Sequence, residues 1–393
     1  MQNFEYYAPT RVVFGKGVIA RTGALVRQFG GKKALVHYGG GSAVRSGVLA
    51  QVLASLDAVG VAHVELGGVV PNPRLSMVRK GAALCRAEGV DFLLAIGGGS
   101  VIDSCKAIGY ALCCPEGTDV WDFYEKKAVP AACTPVGAVL TIAAAGSEMS
   151  DSSVITNEDG WLKRGCNSDL CRPRFAVMDP QVTMTLPAYQ TASGAVDIMM
   201  HTMERYFTLE PDTALTDALA EGLMRTVRQC ALTLRDTPDD YAARADLMWA
   251  SSLSHNGLTG CGTVGDWACH QLEHELGGMF DCAHGAGLAA VWPAWARYVL
   301  DAKPARFAQF AVNVMGAVPA ESDTQTALAG VRAIEHFYRS LGMPATISEL
   351  GYDLTDAQID TLAHKCSHFG KRTIGGFKKL NEDDIRTIYK NAR

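Results

Sequence analysis

The order of apolar and polar positions changes character once along the chain. In the first half, short apolar runs alternate with glycine turns and amphipathic stretches. KALVHY, ending at Tyr38, predicts a strand, and Gly39-Gly40-Gly41-Ser42 leads from it into a helix reaching about Gly60. VAHVEL predicts the next strand, and PNPRLSMVRKGAALCRAEG, from Pro71, the next helix. DFLLAI (91–96) is almost unbroken in its apolarity, as a strand covered on both faces must be. Gly97-Gly98-Gly99-Ser100 then opens another helix. Repeated units of this kind predict a mostly parallel, buried sheet.

After FAVMDP (175–180) strand signals thin out and helical periodicity takes over, at about 191–206, 213–235, 242–253, 266–276 and around 331–340. The expected organisation is an α/β dinucleotide-binding domain over 1–180 and an all-helical metal-binding domain over 181–393. No internal repeat links the two.

Composition narrows the function classes. A chain of 393 residues with 48% hydrophobic and 20% charged residues, and no low-complexity tract, has ample core for two globular domains. The net charge of -5 and the lack of a basic block argue against a nucleic-acid groove, because Lys32-Lys33 and Lys378-Lys379 are short surface pairs. MQNFEYYAPT carries no secretory pattern, and no run approaches the ~20 apolar residues of a membrane helix. The expected setting is the cytoplasm, with no membrane partner. Twelve scattered cysteines without a CxxC motif fit free, buried thiols better than a disulfide framework.

Glycine after a buried strand lets backbone approach a ligand, and the following helix points free N–H groups at it. The Gly97–Ser100 run has that context, with Asp103 and Lys106 downstream, and Lys106 can oppose phosphate charge if it faces the turn. Plain turns are the alternative, since neither run matches the spaced GxGxxG fingerprint. Where a dinucleotide fold places an acid against the adenosine ribose, this chain has Tyr38, Gly39, Gly40, Gly41 and Ser42. Ser42, the loop N–H groups and Arg45 can receive a 2′-phosphate there, which favours NADP(H) over NAD(H). Thr141 and Ser147, in TIAAAGSE, can hydrogen-bond phosphate or the cofactor amide; a tight helix start is the bland reading.

DIMMHTMERYF places Asp197 and His201 on one face of an apolar helix. DWACHQLEHE adds His270 and His274, again four apart, and DCAHGAG adds His284 before small residues that permit close packing. Three imidazoles and a carboxylate are a reasonable donor set for Zn²⁺ or Fe²⁺. A histidine taken alone is more often a core or surface residue, and Cys269 and Cys282 read as packed thiols rather than ligands.

Together these segments resemble the iron-containing, or group III, alcohol dehydrogenases, within them the NADPH-dependent butanol dehydrogenase and broad aldehyde reductase branch. Tyr6-Tyr7 with Thr10, FGKG from Phe14, HYGGGSAVRSG from His37, GGVVPNPRL from Gly67, AIGGGSVIDSCKAI from Ala95, AAAGSEMS, FAVMDP and HELGGMFDCAHGAGLA carry the resemblance over nearly the whole chain. It implies a dehydroquinate synthase-like fold, a homodimer, and one Fe²⁺ or Zn²⁺ on Asp197, His201, His270 and His284. It also implies His274 as an additional active-site histidine near substrate and nicotinamide. Cofactor contacts are implied for Gly39, Gly40 and Ser42 at the adenosine end, for Gly98, Gly99, Ser100 and Asp103 at the pyrophosphate, and for Thr141 and Lys163. Phe280 stands where related sequences can carry another histidine.

The implied reaction moves hydride between NADP(H) and a small aliphatic alcohol or aldehyde. Apolar and aromatic residues such as Met149, Phe280 and Trp292 are candidates for a pocket, with core packing as the alternative. Rival readings are an NAD(H)-dependent polyol dehydrogenase or dehydroquinate synthase-like enzyme of the same architecture, and a non-catalytic nucleotide-binding protein.

Overall fold

A computed structural model describes Met1–Arg393 in full. The chain forms two compact units. One comprises Tyr7–Leu186 with Asp239–Asn256, the other Met1–Tyr6, Pro187–Pro238 and Gly257–Arg393. A single cut near residue 180 therefore misses two exchanges between the units. Most notably, the helix Tyr241–His255 belongs to the α/β unit, although its periodicity alone groups it with its helical neighbours.

Hydrogen bonds explain that exchange. Ser251 and Ser252 donate to the Glu148 carboxylate, and a ring nitrogen of His255 lies 2.6 Å from the Ala145 carbonyl. Gly146 makes the approach possible. It has φ +65°, and a Cβ there would sit 2.3 Å from the Ser251 carbonyl oxygen.

The α/β unit is built on a six-stranded sheet: β1 (Arg11–Phe14), β2 (Lys33–Gly39), β3 (Ala62–Val69), β4 (Phe92–Gly97), β5 (Val136–Leu140) and β8 (Phe175–Met178). Their order is β1-β8-β5-β4-β2-β3, and all five pairings are parallel. β4 and β5 are buried along their whole length, which is why their sequences alternate so little. β6 (Ser152–Asn157) and β7 (Leu162–Asn167) form a separate antiparallel hairpin that the apolar pattern does not announce. From β2 the chain runs outward to β3, then crosses back to β4 and continues to β5 on the other side. The topological switch point lies between β2 and β4, and ligands of open parallel sheets bind at the carboxyl ends of the strands beside it.

The other unit is helical. Its aromatic core gathers around Phe207, which lies against Trp292, Trp295, Phe307, Phe310 and Phe377. Trp292 is therefore core, not pocket lining, and Phe280 stacks on Tyr352 at 4.3 Å. No helix is long and apolar enough to cross a membrane. All twelve cysteines are free, eight of them buried.

Candidate active site

The helix Ala188–Tyr206 is buried over every residue from Thr191 onward, so its apolar majority needs no amphipathic stripe. Asp197, His201 and Glu204 follow at i, i+4 and i+7, which aligns them on one face. The methionines between them pack into the surrounding core.

The helix Ala268–Phe280 supplies His270. Asp266 fixes its start: one carboxylate oxygen accepts from the Ala268 N–H, while the other accepts from the N–H groups of Gly376 and Phe377. Burial, and then the nearby Glu204 charge, raises the Asp266 carboxyl to about 7. The helix His284–Val299 supplies His284 at its first position. Gly285 lets it close in, since a Cβ there would lie 2.0 Å from the Ser193 carbonyl oxygen.

These three helices converge. Asp197 Oδ1 lies 2.9 Å from His201 Nδ1, 3.9 Å from His270 Nε2 and 3.7 Å from His284 Nε2. One donor atom from each of Asp197, His201 and His270 falls within 4.8 Å of the others, and all three residues are buried. His284 is more open, and His274 stands further off, its ring centroid 6.1 Å from that of His284.

The outer partners of these rings are two carboxylates that the sequence reading did not assign. Glu204 Oε1 lies 2.9 Å from His270 Nδ1, and Glu273 bonds His284 Nδ1. A carboxylate only accepts, so each Nδ1 carries the proton and, in the neutral ring, each Nε2 presents its lone pair toward Asp197. Glu204 was legible as the third member of the Asp197 face; Glu273 had no signal beyond its neighbours His270 and His274.

The electrostatics are those of a cation site. Burial disfavours a charged Asp197, but the surrounding imidazoles of His201, His284 and His270 outweigh it and hold the carboxyl well below its usual range. Burial lowers His201 to about 4, against the pull of Asp197. Burial also opposes charge on His270, yet the carboxylates of Asp197 and Glu204 lift it to about 9. Asp197 Oδ1 and His270 Nε2 are buried without a hydrogen-bond partner, a costly arrangement unless an ion bridges them. Borderline nitrogen donors with a hard carboxylate oxygen suit a divalent transition ion. Asp197, His201 and His270 thus constitute a divalent-metal site. Cys269 is not part of it; burial pushes its thiol up, away from the thiolate a metal needs.

The cofactor candidates occupy the α/β unit. Gly39 ends β2, Gly97 ends β4, and Thr141 follows β5 with its N–H on the Gly97 carbonyl at 3.1 Å. The three turns therefore line the carboxyl edge at and beside the switch point. Some of their glycines are needed by the fold itself, since a Cβ on Gly98 would meet Ile142 Cγ2 at 2.2 Å. Gly40 has open space around it. Ser42 begins the short helix Ser42–Arg45, and an Arg45 guanidinium nitrogen lies 3.0 Å from where a Gly41 Cβ would stand. Lys163 is buried on β7, opposite Thr156.

Two expectations change here. Asp103 does not point freely at a ligand: its carboxylate accepts from Ser147 Oγ at 2.5 Å and from the Val154 N–H at 2.9 Å. Lys106 does not face the glycine turn. It is fully buried, with Nζ enclosed by oxygens of Ser147, Ser150 and Ser152.

The parallel-sheet unit and the helical unit are those of the dehydroquinate synthase-like fold that the sequence resemblance implies, and the helical unit carries a divalent-metal donor set. Family comparison is more specific. The model of the iron-containing alcohol dehydrogenase matches residues 9–180, and that of the Fe-containing alcohol dehydrogenase family, C-terminal, matches 191–393. The chain is 42% identical over 391 residues to the "Probable NADH-dependent butanol dehydrogenase 1" of Bacillus subtilis (strain 168), covering 99% of each. It is 38% identical over 395 residues to the NADPH-dependent aldehyde reductase YqhD of Escherichia coli (strain K12), covering all of both. Among solved structures, an NADH-dependent butanol dehydrogenase A from Thermotoga maritima superposes with a TM-score of 0.95 at 38% identity, covering 100% of this chain and 99% of that one.

The chain belongs to the iron-containing alcohol dehydrogenase family. With its buried Asp197–His201–His270 centre, it is a metal-dependent, nicotinamide-linked oxidoreductase of alcohols and aldehydes.

Proposed function

We propose that the chain is an NADP(H)-dependent reductase of small aliphatic aldehydes, also running in reverse on primary alcohols, with one Fe²⁺ or Zn²⁺. The single observation that carries the cofactor choice is the carboxyl end of β2. Gly39-Gly40-Gly41-Ser42 bears no acid to repel a 2′-phosphate, and Arg45 folds over it. Glu65, on the neighbouring β3, accepts from the Tyr38 hydroxyl at 3.3 Å. Relatives whose names specify NADH and one whose name specifies NADPH stand at similar identity, so the preference rests on this loop.

In this reading His284 joins Asp197, His201 and His270 as fourth ligand, with Nε2 aimed by Glu273. When bound, the ion would polarise a carbonyl oxygen and the nicotinamide would provide the hydride. The protein's own work is positional. Glu204 and Glu273 hold two imidazoles in the ligating tautomer. Gly39, Gly40 and Ser42 receive the adenosine end, and Gly98, Gly99 and Ser100 the pyrophosphate at a helix start. Asp103 serves that edge by holding Ser147, with Thr141 and Lys163 beside it. His274, one helical turn beyond His270, would give a proton to the reduced carbonyl oxygen and regain one from solvent. The oligomer is a homodimer in the cytoplasm, a setting that twelve free thiols suit.

Steady-state kcat/KM for butyraldehyde with NADPH and with NADH tests the cofactor reading. A higher value with NADPH is expected; equal values or an NADH preference reject it. In parallel, metal-stripped protein should regain turnover with Fe²⁺ or Zn²⁺, and His270→Ala should lose metal and turnover together.

A further inference from the structure

Lys106 sits on the helix Gly99–Leu112, two turns beyond the glycine run, and no part of it reaches solvent. Its Nζ is surrounded by five oxygens: Ser147 O at 2.7 Å, Ser147 Oγ at 3.0 Å, Ser150 O at 3.0 Å, Ser150 Oγ at 3.1 Å and Ser152 O at 2.7 Å. That is the environment of a bound monovalent cation more than of a surface ammonium turned inward.

The hydroxyl protons confirm the sense of the bonds. Ser147 Oγ donates to Asp103 Oδ1 at 2.5 Å and Ser150 Oγ donates to Ser152 O at 3.4 Å, so both hydroxyls offer Nζ only lone pairs. Three N–H groups shared among five acceptors leave no room for the lone pair of a neutral amine. Asp103, through Ser147, places a carboxylate beside that charge. Burial raises the Glu148 carboxyl, while Lys106 draws it the other way.

We propose that Lys106 is a positioning residue for the nicotinamide cofactor, its ammonium serving as a built-in cation that fixes the 147–152 turn against the helix that starts at the glycine run. This rests on the cofactor reading above. The same turn follows Thr141 and contains Ser147, while the helix begins at Gly99, so Lys106 sets the spacing between two proposed contact groups without touching the ligand itself. Asp103 completes the brace, its carboxylate spanning Ser147 and Val154 and its carbonyl accepting from Ser153 Oγ.

The test is chemical rescue. Lys106→Ala removes a fragment with the size and charge of propylammonium and leaves the oxygen cage. Its KM for NADPH should rise about tenfold or more, the scale of losing one charge-assisted hydrogen bond, with kcat reduced less. Propylammonium chloride should recover most of that KM, whereas tetramethylammonium, equally charged but without N–H, should not. A KM unchanged from wild type, or recovery by both ions alike, overturns the proposal. If Lys106→Ala does not fold, Ser150→Ala removes one cage hydroxyl and should still raise KM, by a smaller factor; no change there also overturns it. Quenching of NADPH fluorescence by wild-type protein is the separate control. If wild type binds no nicotinamide, the cofactor reading fails, and the cage is then judged by thermal melting: propylammonium must raise the Tm of Lys106→Ala and leave wild type unmoved, or the cage falls too.

Discussion

Glu204 Oε1 accepts two hydrogen bonds from one residue, the backbone N–H of His270 at 2.8 Å and its Nδ1 at 2.9 Å. A single carboxylate on the Ala188–Tyr206 helix thus sets both the start of the neighbouring helix and the tautomer of a metal ligand. Glu204→Gln keeps an acceptor but loses the charge that raises imidazole basicity. Metal affinity should fall about 10- to 100-fold, read by competition with a chromophoric chelator. An unchanged affinity would show that the carboxylate is only a helix anchor.

Metal uptake should depend on pH through His270. In the metal-free centre its imidazole is lifted to about 9, because the Asp197 and Glu204 carboxylates outweigh the cost of burial. Below that pH the ring holds a proton on the nitrogen an ion requires, so binding must expel it. Apparent affinity should climb by up to about tenfold per pH unit from pH 6 to 8, and calorimetry in buffers of different ionisation enthalpy should count a released proton. A flat profile would contradict a protonated His270 in the metal-free centre.

Gly285→Ala should weaken the centre without touching a donor atom. The added methyl would meet the Ser193 carbonyl oxygen at 2.0 Å, so the His284–Val299 helix must retreat from the Ala188–Tyr206 helix. His284 Nε2 would leave its place 3.7 Å from Asp197 Oδ1. The expected result is a folded protein, destabilised by ~1–3 kcal/mol, with faster metal loss to chelator. Wild-type metal retention would remove His284 from the ligand set.

His37 offers a stability test in the α/β unit. Its Nδ1 lies 2.7 Å from the Leu66 carbonyl oxygen and its Nε2 2.9 Å from Ser104 Oγ, fully buried. Burial lowers it to about 4, against the Leu66 bond, which alone would raise it. Since the unfolded chain takes up the proton near 6.5, the neutral ring's contribution is complete above that pH and is lost as pH falls toward 4. Roughly 2 kcal/mol should disappear between pH 7 and pH 5 relative to His37→Gln, which keeps a donor and an acceptor but does not titrate. Urea denaturation at the two pH values measures it; parallel losses in both proteins would assign the acid sensitivity elsewhere.

Much of the α/β unit was legible because its strands are buried on both faces and bounded by glycine. KALVHY and DFLLAI appear as β2 and β4 within a residue or two, and the predicted helix at 191–206 lies inside Ala188–Tyr206. The β6–β7 hairpin was not, because Ser152, Ser153 and Thr156 put polar residues at buried positions, the two serine hydroxyls held by hydrogen bonds, where a strand signal needs an apolar stripe. The helix Tyr241–His255 was recognised as a helix, but its allegiance was not; that depends on Glu148 and Gly146, about a hundred residues earlier in the chain.

By itself, then, the order of residues determined the element types outside the β6–β7 hairpin, the glycine edges of the sheet and the two i,i+4 pairs that advertise a metal, because those follow from local periodicity and side-chain chemistry. Tertiary structure alone decided which groups meet. It brought His284 to Asp197 through a glycine contact, gave His270 and His284 their carboxylate partners, and turned Lys106 from a phosphate ligand into the centre of an oxygen cage. Such choices depend on distances between segments far apart in sequence, and no local pattern encodes them.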